Sequence, residues 1–69
     1  TFVSGNLGVG TADPMSKVDI NSDSIRLRNS NTPASAGAVG AKGEIRWDAN
    51  YIYVCIATDT WKRVAISTW

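Results

Sequence analysis

Two closely spaced arginines and several aromatic side chains are the groups in this sequence best suited to binding a ligand. Arg26 and Arg28 lie two positions apart, so on a strand both guanidinium groups share one face and would bind a phosphate, a sulfate or an acidic sugar. A solvated face, or pairing with a carboxylate across a subunit boundary, is the favoured alternative for this pair. The candidate ligand-binding residues are Arg26, Arg28, Tyr51, Tyr53 and Trp69.

The aromatic residues have two interpretations. Sugars stack on exposed Trp and Tyr rings, and the same rings are effective anchors at oligomer interfaces. Burial is favoured over sugar binding, because a domain this small must hide a large apolar area. The residues concerned are Trp47, Tyr51, Tyr53, Trp61 and Trp69.

Residues for catalysis and metal binding are scarce. The chain has no histidine and one cysteine, which excludes an intramolecular disulfide and an ordinary zinc site. The six Asp and Glu residues are spread singly, without the paired spacing that general acid and base catalysis uses. The sequence therefore predicts no enzyme activity, no metal and no cofactor. Cys55 is predicted to be a small packing residue inside a strand.

The charge balance and hydropathy exclude two further classes of partner. Seven Lys and Arg residues against six acids give a net charge of +1, far from the basic excess of nucleic-acid-binding modules. No apolar run approaches the length of a membrane span and no signal peptide is visible, so we expect no membrane insertion. Because the first residue is Thr1, we expect a piece that is processed or cut from a larger protein, with Trp69 as its natural end.

The length indicates that the chain associates with other chains. A domain of 69 residues buries only about 60% of its unfolded surface, and the resulting stabilisation barely offsets the loss of chain entropy. Small domains gain the missing stability from disulfides, metals or oligomerisation. With the first two excluded, oligomerisation remains.

Alternating apolar and polar residues predict a mainly β fold. Residues 17–20 and 24–28 each read as a short strand with a turn or bend at 21–23, whereas residues 1–14 read as a looped or extended lead-in. Residues 29–43 are dominated by small and polar residues and predict a long loop or linker that anchors no core. Gly8 and Gly10 resemble a phosphate loop, but Asp13-Pro14 favours a turn there.

The carboxyl-terminal part predicts a small antiparallel three-stranded meander. Its strands are residues 44–48, 51–57 and 61–67, joined by turns at 48–50 and 58–60. Gly43 and Asn50 are the predicted turn positions, with Asn50 able to take positive φ. We divide the chain into an extended amino-terminal segment with short strands, 1–42, and a meander module, 43–69.

Both faces of the middle strand are apolar or amphipathic, although a lone three-stranded sheet has only one inside. The extra face needs cover from the amino-terminal segment or from another subunit. Lys62 and Arg63 point to opposite faces, and the buried one would need a carboxylate such as Asp48 or Glu44. The predicted core and interface residues are Ile45, Trp47, Ile52, Val54, Ile56, Trp61, Val64 and Ile66.

The order of motifs from Gly43 to Trp69 resembles the carboxyl ends of bacteriophage tail fibres, tailspikes and other virion structural proteins. The motifs are Gly-x-Ile, an aromatic-Asp turn, Tyr-x-Tyr-Val-Cys, a polar turn, Trp-Lys-Arg and a final Ser-x-Trp. More loosely, this hairpin resembles the trimerising hairpin that closes phage fibritin. The segment from Gly5 to Ile20 resembles an element of phage fibre shafts and adhesins, with Met15 and Val18 departing from its usual residues.

The resemblance implies an intertwined homotrimer located in the phage tail of the virion, and extracellular after release. Its function would be a trimerisation cap that keeps a fibre or tailspike in register, with an upstream fibre or tailspike domain of the same chain as a second partner. The alternative is a receptor-binding tip that recognises a host surface polysaccharide. The amino-terminal part would then be a shaft-like connector.

Overall fold

The computed structural model describes residues 4–69, and in this range the fold is all-β with no helix. Five strands form two separate sheets. They are β1 (Leu7–Val9), β2 (Val18–Ile20), β3 (Ile45–Trp47), β4 (Tyr51–Ala57) and β5 (Thr60–Ala65). The prediction of a mainly β chain with a three-stranded antiparallel meander is confirmed.

The first sheet is a parallel pair of very short strands. Leu7 lies opposite Val18 and Val9 opposite Ile20, and the Leu7 amide donates to the Lys17 carbonyl at 2.6 Å. The prediction of a strand near 17–20 is confirmed, but the prediction that 1–14 holds no strand is wrong at β1. That strand is too short to show a pattern of its own, and it forms because β2 supplies its hydrogen-bond partners. Residues 1–3 lie outside the described range.

The second sheet has the order β3-β4-β5, with both pairs antiparallel. Ile45 lies opposite Val54, and Ile52 opposite Val64, so these side chains share one face of the sheet. An irregularity between Cys55 and Ala57 interrupts the second pairing near the β4–β5 turn. The β-branched and aromatic content of β4 explains why it is the longest strand.

The two turns of the meander differ in backbone conformation, and the residue at positive φ lies in the second turn. In the first turn the Asp48 Oδ1 atom accepts hydrogen bonds from the amides of Asn50 and Tyr51, at 2.8 and 2.9 Å. This Asx arrangement closes the turn without a left-handed residue, so Asn50 does not adopt the positive φ that it could tolerate. In the described part of the chain, the non-glycine residue at positive φ is Asp59, in the second turn. Gly43, at φ 91°, does lie in a turn as predicted.

Residues 24–28 do not form the predicted strand. Alternation is present there, but no described strand pairs with this segment. The segment and the residues just after it meet β3 through single hydrogen bonds. The Trp47 indole Nε1 donates to the Leu27 carbonyl at 2.8 Å, and the Asn31 amide donates to the Trp47 carbonyl at 2.9 Å. The segment at 21–23 is a bend that follows β2, in agreement with the prediction.

The loop of residues 33–41, here called the cover loop, folds over one face of the second sheet. Beneath it lie the buried side chains of Tyr53, Cys55 and Trp61, which form the core. Trp61 is bonded to the loop twice, with its amide donating to the Ala36 carbonyl and its indole Nε1 to the Ala38 carbonyl. The prediction that this stretch anchors no core is therefore wrong, because its small residues let the backbone itself approach the Trp61 ring.

These contacts cross the predicted division at residues 42 and 43, which remains a prediction. Gly40 and Asp59 bind each other reciprocally, since each backbone amide donates to an oxygen of the other residue at 3.0 Å. The Cα radius of gyration is 14.7 Å, against about 11 Å for a compact domain of this length. The single chain is therefore spread out, with its core confined to one side of one sheet.

Gly40→Ala is expected to destabilise the cover loop. A Cβ atom at this position would lie 2.5 Å from Cζ2 of the Trp61 ring, too close for either group to remain in place. We expect the free energy of unfolding to fall by about 1–3 kcal/mol, as for other overpacked sites. The measurement is urea unfolding followed by tryptophan fluorescence.

The matched control is Gly37→Ala in the same loop. A Cβ atom there would approach nothing closer than the Ser35 hydroxyl oxygen at 4.0 Å. Its midpoint should stay near that of the unaltered chain. Equal losses for the two variants would contradict close packing of Gly40 on Trp61.

Candidate functional site

The face of the second sheet opposite the cover loop is an open apolar surface, here called the open face. The paired strands β3, β4 and β5 place aliphatic side chains on it, and most are more than a third exposed in the single chain. Ile45 is 57% exposed and Val64 59% exposed, values typical of surface residues although both are β-branched and apolar. Its exposed aliphatic residues are Ile45, Ile52, Val54, Val64 and Ile66, with Ile56 at the irregularity also exposed.

The predicted core and interface residues therefore fall into two environments. Trp61 is 5% exposed and belongs to the core under the cover loop. Trp47 is half-buried and anchored by its indole to Leu27. The six aliphatic members are exposed in the single chain. Their role at an interface stays a prediction.

On the covered face, the Asp48 carboxylate organises the surrounding groups. Its Oδ2 atom accepts hydrogen bonds from the hydroxyls of Thr32 and Tyr53, both at 2.5 Å. Its Oδ1 atom closes the β3–β4 turn through two backbone amides. One side chain therefore ties together the turn, the middle strand and the segment that leads into the cover loop.

These hydrogen bonds shift the acidity of both partners. The Thr32 hydroxyl, the Tyr53 hydroxyl and the turn amides all stabilise the ionised carboxylate, so they hold the pKa of Asp48 well below its ordinary value. The hydrogen bond to Asp48, with burial as a second cause, raises the pKa of Tyr53. The hydrogen bond from Arg46 lowers the pKa of Glu44. At neutral pH this face therefore carries charged carboxylates and a neutral phenol.

Two arginines stack on aromatic rings of the same face. The Arg63 guanidinium carbon lies 4.1 Å from the centroid of the Tyr51 ring, which in turn packs at 5.8 Å against the Tyr53 ring. The Arg46 guanidinium lies 4.5 Å from the Trp61 ring. Stacking on an aromatic face fixes the plane of a guanidinium while leaving its in-plane N–H groups available.

The carboxylates predicted for Lys62 and Arg63 are used elsewhere. Glu44 forms a salt bridge with Arg46, whose Nε donates to Glu44 Oε2 at 2.6 Å. Asp48 is occupied by hydroxyl and amide donors. Within residues 4–69, the Arg46–Glu44 pair is the salt bridge that forms, which leaves Lys62 and Arg63 without an acidic partner in that range.

The structure separates the predicted ligand-binding residues. Tyr51 and Tyr53 lie together, with Tyr53 only 4% exposed and its hydroxyl bound to Asp48. Arg26 and Arg28 are exposed in the irregular segment before the cover loop, and Trp69 is fully exposed. Their binding role stays a prediction.

Sequence reasoning missed the roles of Asp48, Thr32 and Arg46. Asp48 was visible as a turn residue, but its bond to Thr32 spans 16 positions and depends on the tertiary fold. Arg46 alternates with apolar residues in β3, and nothing local marked it as a partner of Trp61. In the described residues, no cluster of three or more His, Cys, Asp or Glu side chains could hold a metal ion. The same range contains no helix with the length and hydropathy needed to cross a membrane.

Comparison with known proteins points to phages. A depolymerase of Klebsiella phage K64-1, named as specific for capsule K30/K69, is 41% identical to this chain over 58 residues. Depolymerase 1 of Klebsiella phage K5-2, with the same named specificity, is 44% identical over 57 residues. The matches cover 84% and 83% of this chain. No protein-family model and no solved structure matches it.

These relatives support the resemblance to phage tail proteins and correct one prediction. Both are named depolymerases, which are enzymes, so the expectation of a protein without enzyme activity is wrong. The scarcity of catalytic residues misled because the chain spans only 7% of the length of each relative. The fibritin likeness and the placement at a carboxyl end stay predictions.

The Asp48→Asn variant should lose less stability than the unaltered chain when the pH falls. Because the folded protein depresses the pKa of Asp48, its stabilising contribution is present above the unfolded pKa of about 3.9 and is lost as pH falls toward the folded value. The variant should be less stable at neutral pH and lose less stability between about pH 5 and pH 2. Chemical unfolding at a series of pH values measures both effects.

The control is Asp23→Asn, which removes an exposed carboxylate that makes no hydrogen bond to the described residues. Its pH profile should follow that of the unaltered chain. If Asp48→Asn showed the same acid slope as the control, the depressed pKa of Asp48 would be disproved.

Proposed function

We propose that this chain is an assembly segment of a phage tail protein, in which the open faces of three copies pack around a three-fold axis. The observation that carries the proposal is the open face itself. One face of the second sheet is closed by the cover loop of the same chain, whereas the other presents a mainly aliphatic surface to solvent, on which Trp47 and Lys62 also lie. Exposed apolar patches of this kind mark interaction surfaces.

The exposed area supports association. The single chain exposes 5828 Å², against about 4,200 Å² for a compact monomer of this mass. The excess, roughly 1,600 Å² on one chain, is about twice the roughly 800 Å² that each partner buries in a standard protein interface. Association of the open faces would bring the exposed area per chain toward that of a compact protein.

The number three comes from the resemblance to tail fibre and tailspike ends, and the physical argument requires only that copies associate. In this proposal the segment keeps a larger homotrimeric chain in register as part of the virion tail. An upstream fibre or tailspike domain of the same chain is its second partner. The protein is extracellular after release of the phage.

The relatives supply a proposal for the whole protein. Both are named as depolymerases of bacterial capsule, so we infer that the complete protein containing this segment degrades a capsular polysaccharide. The alternative function of the segment is recognition of a surface glycan. Arg63 favours this alternative, because it is stacked on Tyr51 and has no acidic partner in the described range.

Ile52→Asp and Val64→Asp should separate assembly from folding. These residues face each other on the open face, where a carboxylate would be buried without a partner on association. Each single chain should keep its β-structure, because neither side chain belongs to the buried core. We expect the mass in light scattering to fall from three times 7.4 kDa to that of one chain, while far-UV circular dichroism is retained.

Two controls define the outcome. Val39→Asp places the same charge on a residue that is 81% exposed outside the open face, and should leave the mass unchanged. Trp61→Ala removes the ring under the cover loop and should unfold the chain itself. An unaltered chain that is monomeric at all concentrations, or an unchanged mass for both open-face variants, would refute the proposed assembly.

A further inference from the structure

We infer that the pocket between the cover loop and β5 binds one acidic sugar ring of a polysaccharide, with Arg63 as the residue that recognises the carboxylate. The inference rests on the proposed function, because it places a capsule-binding subsite on the assembly segment. None of Arg26, Arg28 and Trp69, the exposed ligand-binding residues predicted from the sequence, lines this pocket.

The pocket is large enough for a sugar ring. Its volume is about 320 Å³, at the lower end of the range for small-molecule sites. One wall is the start of the cover loop and the other is the first half of β5, with Tyr53 and Trp61 between them. The lining residues are Pro33, Ala34, Ser35, Ala36, Tyr53, Trp61, Lys62 and Arg63.

The charge of the lining favours an anion. Arg63 lies opposite Tyr53 on the covered face and brings a cation to the pocket, whereas Lys62, opposite Val54, directs its side chain to the open face. The lining contains no carboxylate. The carboxylates that could have neutralised Arg63 are held by Arg46 and by the Asp48 network. A carboxylated sugar would therefore meet Arg63, which has no acidic partner in the described part of the chain.

Arg63 is already oriented for this role. Its guanidinium stacks on Tyr51, and Tyr51 packs on Tyr53, whose hydroxyl is bound to Asp48. Contact with the Tyr51 ring restricts the Arg63 side chain before a ligand arrives, so less conformational entropy is lost on binding. The in-plane N–H groups match the two oxygens of a carboxylate in a bidentate contact.

The edge of β5 supplies polar backbone groups beside this cation. The Trp61 amide points outward from the sheet and donates to the Ala36 carbonyl at 2.8 Å. Since backbone groups alternate in direction along a strand, the amide and carbonyl of Arg63 point to the same outer edge. No other strand of the described sheet lies on that side of β5. Sugar hydroxyls can both donate and accept, and so can pair with both groups.

The same edge would also suit a strand from a second copy of the chain. The experiment below distinguishes this strand from a bound sugar. A strand needs a run of unpaired backbone, whereas the cover loop already occupies the edge at Trp61. A partly open pocket beside Arg63 fits a charged ring better than a strand of this chain, whose own strands carry few acids. The acidic sugar is therefore the occupant that we propose.

The experiment is titration of the isotope-labelled full chain, observed by NMR, with two acidic probes and one neutral probe. The acidic probes are the hyaluronan tetrasaccharide and tetragalacturonate, and the neutral probe is chitotetraose. We expect saturable shifts at Ala36, Trp61 and Arg63 with an acidic probe. The apparent affinity for chitotetraose should be at least about tenfold weaker, because the charge-assisted bond is lost.

Substitutions assign the effect to Arg63. Arg63→Gln should weaken binding of the acidic probe by about tenfold or more, and Arg63→Lys should restore only part of it because the bidentate contact is lost. Lys17→Gln removes the same charge from an exposed residue next to β2 and should leave the affinity unchanged.

Three results would overturn the inference. They are no shift with either acidic probe, equal binding of chitotetraose, or an Arg63→Gln variant that binds like the unaltered chain. Shifts at Ala36 and Arg63 that follow protein concentration rather than sugar would show that a second copy fills the edge. The mass of Arg63→Gln, measured in parallel, keeps this result separate from the assembly proposal, which predicts an unchanged oligomer.

Discussion

The Asp48 carboxylate is the interaction on which the rest of this small structure depends. It accepts four hydrogen bonds, from two hydroxyls and two backbone amides. They close the first turn of the meander, fix the Tyr53 ring and hold Thr32 beside the sheet just before the cover loop begins. Because Tyr53 is part of the core and supports the Tyr51–Arg63 stack, a single side chain positions both the covered face and the edge of β5.

The contrast between the two faces of the sheet connects fold to function. A sheet with one covered and one apolar open face is an incomplete core, and completion by other copies is the simplest physical solution. The two faces also differ in kind. The covered face contains hydrogen bonds and stacked cations that define geometry, whereas the open face contains aliphatic groups whose burial is non-directional. The covered face therefore holds the fold of the single chain, and the opposite face of the same sheet is the one available for association between chains.

The sequence predicted the meander because alternation in β4 and polar turn residues are local signals. It could not predict β1, whose three residues carry no period, or the absence of a strand at 24–28, where alternation found no partner. The cover loop was missed because its contribution comes from backbone carbonyls and from glycine, not from apolar side chains. For the candidate site, the open face followed from strand periodicity, but the roles of Asp48 and Arg46 depend on contacts between distant segments.

The buried thiol of Cys55 can report how often the cover loop opens. Its side chain is fully buried beneath the cover loop, and its thiol donates a hydrogen bond to the Ala57 carbonyl. A thiol reagent can therefore reach the sulfur only while the loop is lifted from the sheet. When reclosing is faster than the chemical reaction, the labelling rate reports the equilibrium between closed and opened forms, as amide exchange does. The labelling rate of Cys55 therefore measures the opening of the cover loop without an added probe site.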